Sequence, residues 1–203
     1  KWQKSINLIS RSGSDDIYLR HFLDSAQLHK FTKKINGNIL DFGSGAGFPG
    51  LPIKFFFPSA DITFLEATKK KVNFISNVLK MWDFERSAVI WDRAENLGQN
   101  PVHRHRYDVV VSRAVAPLQT LLELTLPLCR PGGKVVAMKG KKSESECARS
   151  SNALAELGGS IESVIRVQQF LSSSEGELVI VRKTTETSPE YPRRAGIPLK
   201  YPL

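Results

Sequence analysis

Short apolar runs alternate along this chain with segments whose apolar residues recur every three or four positions. Ile39-Leu40-Asp41 predicts a strand ending in a carboxylate. Asp61–Glu66, Ala88–Trp91, Tyr107–Val111 and Lys134–Met138 predict four more. Between them, Val72, Ile75, Val78, Leu79 and Trp82 mark one helical stripe. Leu118–Leu128 reads as a leucine-rich helix that Pro131-Gly132-Gly133 stops. A helix over Glu144–Leu157, a strand over Ile161–Gln168 and a final strand over Glu177–Arg182 follow. Strands spaced by helices predict a mostly parallel sheet covered on both faces. Only Ser172–Gly176 separates the last two strands, which therefore predict an antiparallel hairpin at the sheet edge.

Two flanking regions read differently. In residues 1–37, Trp2, Ile6, Leu8 and Ile9 form one apolar helix face. After a polar break at residues 10–16, Ile17, Leu19, Phe22, Leu23, Ala26 and Leu28 form another, and Asn36-Gly37 is a turn signal. This helical extension is too short to fold alone and is expected to pack on residues 38–183. Its opening on Lys1 reads as the end of a helical region, so a longer protein is expected. Residues 184–203 carry prolines and Arg193-Arg194 and predict a basic, mobile tail.

Composition narrows the class. Of 203 residues, 41% are hydrophobic and 24% charged, which suits a folded core and excludes collagen-like or wholly disordered chains. Phe55-Phe56-Phe57 is bounded by Lys54 and Pro58, and no apolar run approaches a membrane span. The formal charge of +9 favours polyanionic partners without choosing among RNA, DNA and an acidic membrane surface. Cys129 and Cys147 form no CxxC pair, and the basic opening lacks a signal-peptide core, so reduced thiols in an intracellular protein are expected.

The most informative stretch is Asp41-Phe42-Gly43-Ser44-Gly45-Ala46-Gly47-Phe48-Pro49-Gly50. Glycines at this spacing permit a sharp turn, with backbone N–H groups expected to face a ligand. Glu66 ends the second strand, where a carboxylate can accept both hydroxyls of an adenosine ribose, in a nicotinamide dinucleotide or in S-adenosylmethionine. Asp41 beside the turn would repel a pyrophosphate, which favours the second ligand. It is expected to act directly, through water or by holding the loop. In a methyl-donor pocket, Asp92-Arg93-Ala94-Glu95 would lie beside the adenine, through Ala94 and Glu95, and Phe48 would close the other flank.

On the acceptor side the fourth strand runs into Ser112-Arg113-Ala114-Val115-Ala116-Pro117. No Asn-Pro-Pro-Tyr, Asp-Pro-Pro-Tyr or Pro-Cys nucleophile is present. Arg113 supplies fixed donors for a phosphate, a guanine edge or a cofactor carboxylate. Guanine N7 has a lone pair and no proton to lose, so alignment alone would suffice for methylation there. Lys139, Lys141 and Lys142 follow the fifth strand at the sheet rim. With Lys69–Lys71, Arg104, Arg106, Arg193 and Arg194 they offer phosphate contacts. The four histidines form no metal set.

These motifs resemble one family over nearly the whole chain. Asn7-Leu8, Arg20-His21-Phe22-Leu23-Asp24-Ser25, the DFGSGAGFPG loop, Ser112-Arg113-Ala114-Val115-Ala116, Lys139-Gly140 and Tyr191-Pro192-Arg193-Arg194-Ala195-Gly196 are similar to the bacterial 16S ribosomal RNA guanine-N7 methyltransferases, also called glucose-inhibited division protein B. The resemblance implies an α/β S-adenosylmethionine-dependent methyltransferase fold: Rossmann-like, seven-stranded and mostly parallel, with an antiparallel edge strand. It implies methyl transfer to guanosine N7 in the 530 loop of 16S rRNA, by a cytoplasmic monomer that meets the small ribosomal subunit and needs neither membrane nor metal. Carried onto matching positions, it implies that Gly43, Phe48, Glu66, Ala94, Glu95 and Arg113 hold the donor, with Asp41 and Gly45 in the same loop. Arg113 would also orient the guanine, and His21 and Asp24 would shape the pocket or meet RNA. Three other readings remain: an RNA-binding or assembly module without catalysis, a methyltransferase with a non-ribosomal acceptor, and a weaker NAD-dependent oxidoreductase.

Overall fold

The computed structural model describes residues 21–25, 28, 37–113, 115–140, 143–168 and 175–203. The predicted helix face of Trp2–Ile9, the start of the second run at Ile17, most of the turn before Gly176, and Lys141 and Lys142 lie outside them.

Seven strands form one sheet: β1 (Asn38–Phe42), β2 (Asp61–Glu66), β3 (Ser87–Trp91), β4 (Tyr107–Arg113), β5 (Cys129–Lys139), β6 (Gly159–Gln168) and β7 (Glu175–Lys183). Their order is β3-β2-β1-β4-β5-β7-β6. β3, β2, β1, β4 and β5 pair in parallel, and β7 runs antiparallel to both β5 and β6. The expected hairpin is therefore at the edge, and its inner member β7 is the reversed strand.

Residues 21–25 are helical, and seven further helices follow: α1 (Gly50–Phe56), α2 (Lys69–Met81), α3 (Ala94–Gln99), α4 (Leu118–Thr125), α5 (Ser143–Arg149), α6 (Ser151–Leu157) and α7 (Ile197–Lys200). None is long and apolar enough to cross a membrane. Alternation along β1 explains why its residues are apolar in succession: both faces are covered. Ile39 packs with Ile53 of α1 and Ile75 and Leu79 of α2, while Leu40 and Phe42 pack with Leu121 and Leu122 of α4.

Three elements depart from the sequence reading for visible reasons. The single helix over 144–157 is two, because the buried Ser150 hydroxyl donates to the Glu146 carbonyl at 2.7 Å and competes with the backbone ladder. β5 begins at Cys129 rather than Lys134, with a register shift opposite Tyr107 and Val109 that absorbs the Pro-Gly-Gly turn. Trp82 caps α2 instead of joining its buried stripe. It is 51% exposed and stacks edge-on with Phe55.

The tail expected to be mobile is packed. The Arg104 guanidinium donates to the carbonyls of Gly98, Thr187, Ser188 and Tyr191 at 2.7–2.9 Å. Gln99 donates to Pro189 and Pro192, and Thr120 to Pro198. Arg104 is thus a tail clamp and not a phosphate ligand.

Candidate active site

The chain runs outward from β1 through β2 to β3, then returns to β4 on the other side of β1. Such a reversal opens a crevice beyond the carboxyl ends of the strands. A cavity of about 610 Å³ lies there, within the range that holds a nucleoside-sized ligand. Its wall includes Gly43, Ser44, Gly45 and Phe48 after β1 and Glu66 at the end of β2. Asp92, Arg93, Ala94 and Glu95 follow β3, and Arg113 ends β4. His21 also reaches it, so the extension contributes to the wall.

The glycine loop is built by internal bonds. Gly43 and Gly45 have φ of +66° and +58°, conformations that side chains disfavour. Ser44 N–H donates to Leu65 O at 3.0 Å and Gly45 N–H to Glu66 Oε2 at 2.9 Å. Gly47 and Phe48 N–H both donate to Ser44 O, and Gly50 N–H donates to Asp41 Oδ2 at 3.1 Å. These N–H groups do not face a ligand, contrary to the sequence expectation, because the fold already uses them.

Of the three roles expected for Asp41, holding the loop is the one its contacts support. It does not line the cavity; it is fully buried behind the loop, where it holds the first turn of α1 through Gly50. Its Oδ1 has no hydrogen-bond partner among the described residues. Burial pushes its carboxyl from 3.8 up to about 7, against the lowering effect of the Gly50 and Ser44 bonds, with the Glu66 charge raising it slightly further. A raised folded pKa contributes stability below the unfolded value and loses it as pH rises through the folded one. Asp41→Asn should therefore flatten the profile: relative to the variant, the wild type loses about 1.4 kcal/mol per pH unit between about pH 4 and about pH 7. Denaturant titrations at several pH values would show this; parallel profiles would place the proton elsewhere.

Glu66 stands at the cavity with both oxygens engaged, Oε2 by Gly45 and Oε1 by Thr68 N–H at 2.7 Å. Each carboxylate oxygen keeps a second acceptor site. Glu95 lines the wall and accepts from Gly196 N–H of the tail at 3.1 Å. Arg113 donates to His21 O at 3.0 Å, to Ser25 Oγ at 3.1 Å and to His21 Nδ1, and its guanidinium lies 5.7 Å from the Phe48 ring centroid. The extension thereby fixes the arginine's direction.

Several expected substrate contacts are elsewhere. Lys139 is only 10% exposed and is spent on Glu146 Oε2 at 2.8 Å and Ala116 O at 2.6 Å. The same Glu146 oxygen accepts from Leu118 N–H, so this pair caps α4 rather than meeting RNA. Arg193 is bound by Glu123, whose side chain is fully buried. Arg194 is exposed outside the cavity. Neither cysteine lines the cavity, and burial pushes the Cys129 thiol up to about 12. Among the described residues no group of His, Cys, Asp and Glu is placed to hold a metal. The sequence reading placed the Asp92–Glu95 loop beside the adenine without singling out Asp92, and offered Lys71 only as a phosphate contact, yet both line the cavity. Only their places after β3 and β2 hinted at this.

A family model described as GidB, rRNA small subunit methyltransferase G, matches residues 1–174. The chain belongs to this family. A curated relative from Dehalococcoides mccartyi (strain CBDB1), named Ribosomal RNA small subunit methyltransferase G, is 43% identical over 202 residues, covering 100% of this chain and 86% of the relative. One of the same name from Pelotomaculum thermopropionicum is 40% identical over 201 residues, covering 98% and 84%. Among solved structures, M. jannaschii TYW2 in complex with AdoMet superposes with a TM-score of 0.62 at 13% identity, covering 84% of this chain and 76% of that one, a likeness of fold. As a member of the rRNA small subunit methyltransferase G family, the chain is a 16S rRNA methyltransferase, in keeping with the guanine-N7 chemistry expected from its motifs.

Proposed function

We propose that the cavity binds S-adenosylmethionine and that the methyl passes to N7 of a guanosine in the 530 loop of 16S rRNA. The observation that carries the donor assignment is the state of the glycine loop. The N–H groups of Ser44, Gly45, Gly47, Phe48 and Gly50 are bonded within the protein, and the Glu66 carboxylate stands against Gly45, an arrangement that repels a pyrophosphate. A ribose needs acceptors instead, and Glu66 retains them. Gly43 and Gly45 line the cavity without side chains, Ala94 and Glu95 border the adenine side, and Phe48 closes the opposite flank. When bound, the donor supplies a methyl group on a positively charged sulfur.

The residues present do little chemistry beyond this. N7 attacks with a lone pair, so no side chain must remove a proton, and Asp41 is too deeply placed to do so. Arg113, held by His21 and Ser25, offers a directed guanidinium at the end of β4 that orients the guanine, the donor carboxylate or both. Asp24, buried in the extension, helps shape this corner. Lys71 and Arg93 bring positive charge to the mouth, where RNA phosphates approach. The reading includes action as a cytoplasmic monomer on the small subunit.

Arg113→Ala tests the site. Methyl transfer should fall about a hundredfold, with a smaller loss of donor affinity and a modest change in melting temperature. Kinetics, calorimetric donor titration and thermal denaturation on one preparation would separate these effects. Full-rate methylation by this variant would remove Arg113 from the mechanism.

A further inference from the structure

Trp91 ends the edge strand β3 in register with Glu66 of β2. Its side chain therefore stands about 4.8 Å further out along the sheet than the carboxylate assigned to the ribose. It does not line the cavity and is 56% exposed. Two contacts nevertheless fix it. The indole Nε1–H donates to Ala67 O at 2.9 Å, and Lys69 Nζ lies 4.3 Å from the ring centroid.

Three cations lie close to this ring in the chain or in space, with Asp92 between it and Arg93. Lys69 and Lys70 are exposed on the first turn of α2, and Arg93, also exposed, follows Trp91 by two residues. Among the described residues none of the three forms an ion pair. No acidic residue occupies that first helical turn, so the lysines are neither neutralised locally nor favoured by the helix dipole. A rigid aromatic plane beside unpaired cations suits a ligand that is flat and anionic at once.

We propose that Trp91, Lys69, Lys70 and Arg93 form a docking surface for a single-stranded segment of the substrate RNA. One base stacks on the indole, and adjacent phosphates meet the lysines and Arg93. An acidic protein segment would satisfy the cations but leave the aromatic plane unused. Three strand spacings, about 14 Å, separate β3 from Arg113 on β4, so the stacked nucleotide is not the methylated one. The surface holds RNA across the mouth of the cavity, and this rests on the cavity being the donor site.

The test uses the whole chain, unmodified small ribosomal subunits and a short single-stranded RNA, with direct binding measured in the absence of donor. Trp91→Ala should weaken RNA binding and raise KM for subunits about tenfold, leaving kcat and S-adenosylmethionine affinity unchanged. Trp91→Phe should restore most of the loss. Lys69→Gln with Lys70→Gln should reduce the salt dependence of RNA binding by about one to two in logarithmic slope. Unchanged RNA affinity in Trp91→Ala would overturn the proposal. So would a change confined to donor affinity, which would put the indole against the adenine. Donor-free RNA binding keeps this result separate from the donor assignment itself: a wild type that binds RNA but no donor would refute the latter alone.

Discussion

Gly43→Val should abolish detectable donor binding while leaving most of the fold intact. Gly43 has φ +66°, and a Cβ there would approach Val115 Cγ2 to 2.7 Å. A β-branched residue is especially poor in this left-handed conformation, which costs about 1–3 kcal/mol. The added methyls also enter the wall of the cavity itself. Relief requires the loop to move, and its Ser44–Leu65 and Gly45–Glu66 bonds would move with it. Donor affinity should fall at least about a hundredfold, equivalent to about 2.8 kcal/mol. Gly43→Ala should show a smaller loss. Gly140→Ala, at a glycine with open space around it and no positive φ, serves as the control. Calorimetric titration together with circular dichroism would read both properties. Wild-type donor affinity in a folded Gly43→Val protein would place the donor elsewhere.

Glu123→Ala should be the most destabilising of the single changes considered. Glu123 lies fully buried on α4 and accepts three bonds from Arg193: from the backbone N–H at 2.9 Å, Nε at 2.9 Å and Nη2 at 2.7 Å. Removing it leaves a partly buried guanidinium without its counter-charge, a change that costs about 3–5 kcal/mol. For a chain of this size the melting temperature should drop by roughly 10 °C. Residues 184–203 should become open to limited proteolysis, and donor affinity should weaken as well, because Gly196 then ceases to hold Glu95. Arg86→Ala, which breaks the exposed pair with Asp61, should by contrast have little effect. A Glu123→Ala protein as stable as the parent would mean that Arg104, Gln99 and Thr120 hold the tail without it.

The difference between those two ion pairs also shows what the sequence could and could not disclose. Strand positions were legible because both faces of the sheet are covered: β2 falls at Asp61–Glu66 as its apolar run predicts. Glu66, Gly43, Phe48, Ala94, Glu95 and Arg113 were legible because each ends a strand or follows its carboxyl end, and the structure brings all six to one cavity. The fate of the basic residues was not. Lys139, Arg104 and Arg193 read as free positive charge, yet each is held by Glu146, by backbone carbonyls or by Glu123. Such pairings join residues 6 to 87 positions apart, and no local pattern encodes them. The choice among the three roles of Asp41 stays open in the sequence for a related reason. A carboxylate beside a glycine turn can face the ligand or the helix behind it, and only the packing of Gly50 and Phe64 selects the second.

The central claim is that this pocket positions a methyl donor against guanine N7 of small-subunit RNA. The most direct measurement is to incubate the protein with methyl-labelled S-adenosylmethionine and unmodified small ribosomal subunits, then identify the labelled nucleotide and atom. Label on N7 of a guanosine in the 530 loop is the predicted result. Label on an exocyclic amine, a ribose oxygen or a nucleotide elsewhere, or none from a folded protein that binds the donor, would contradict it.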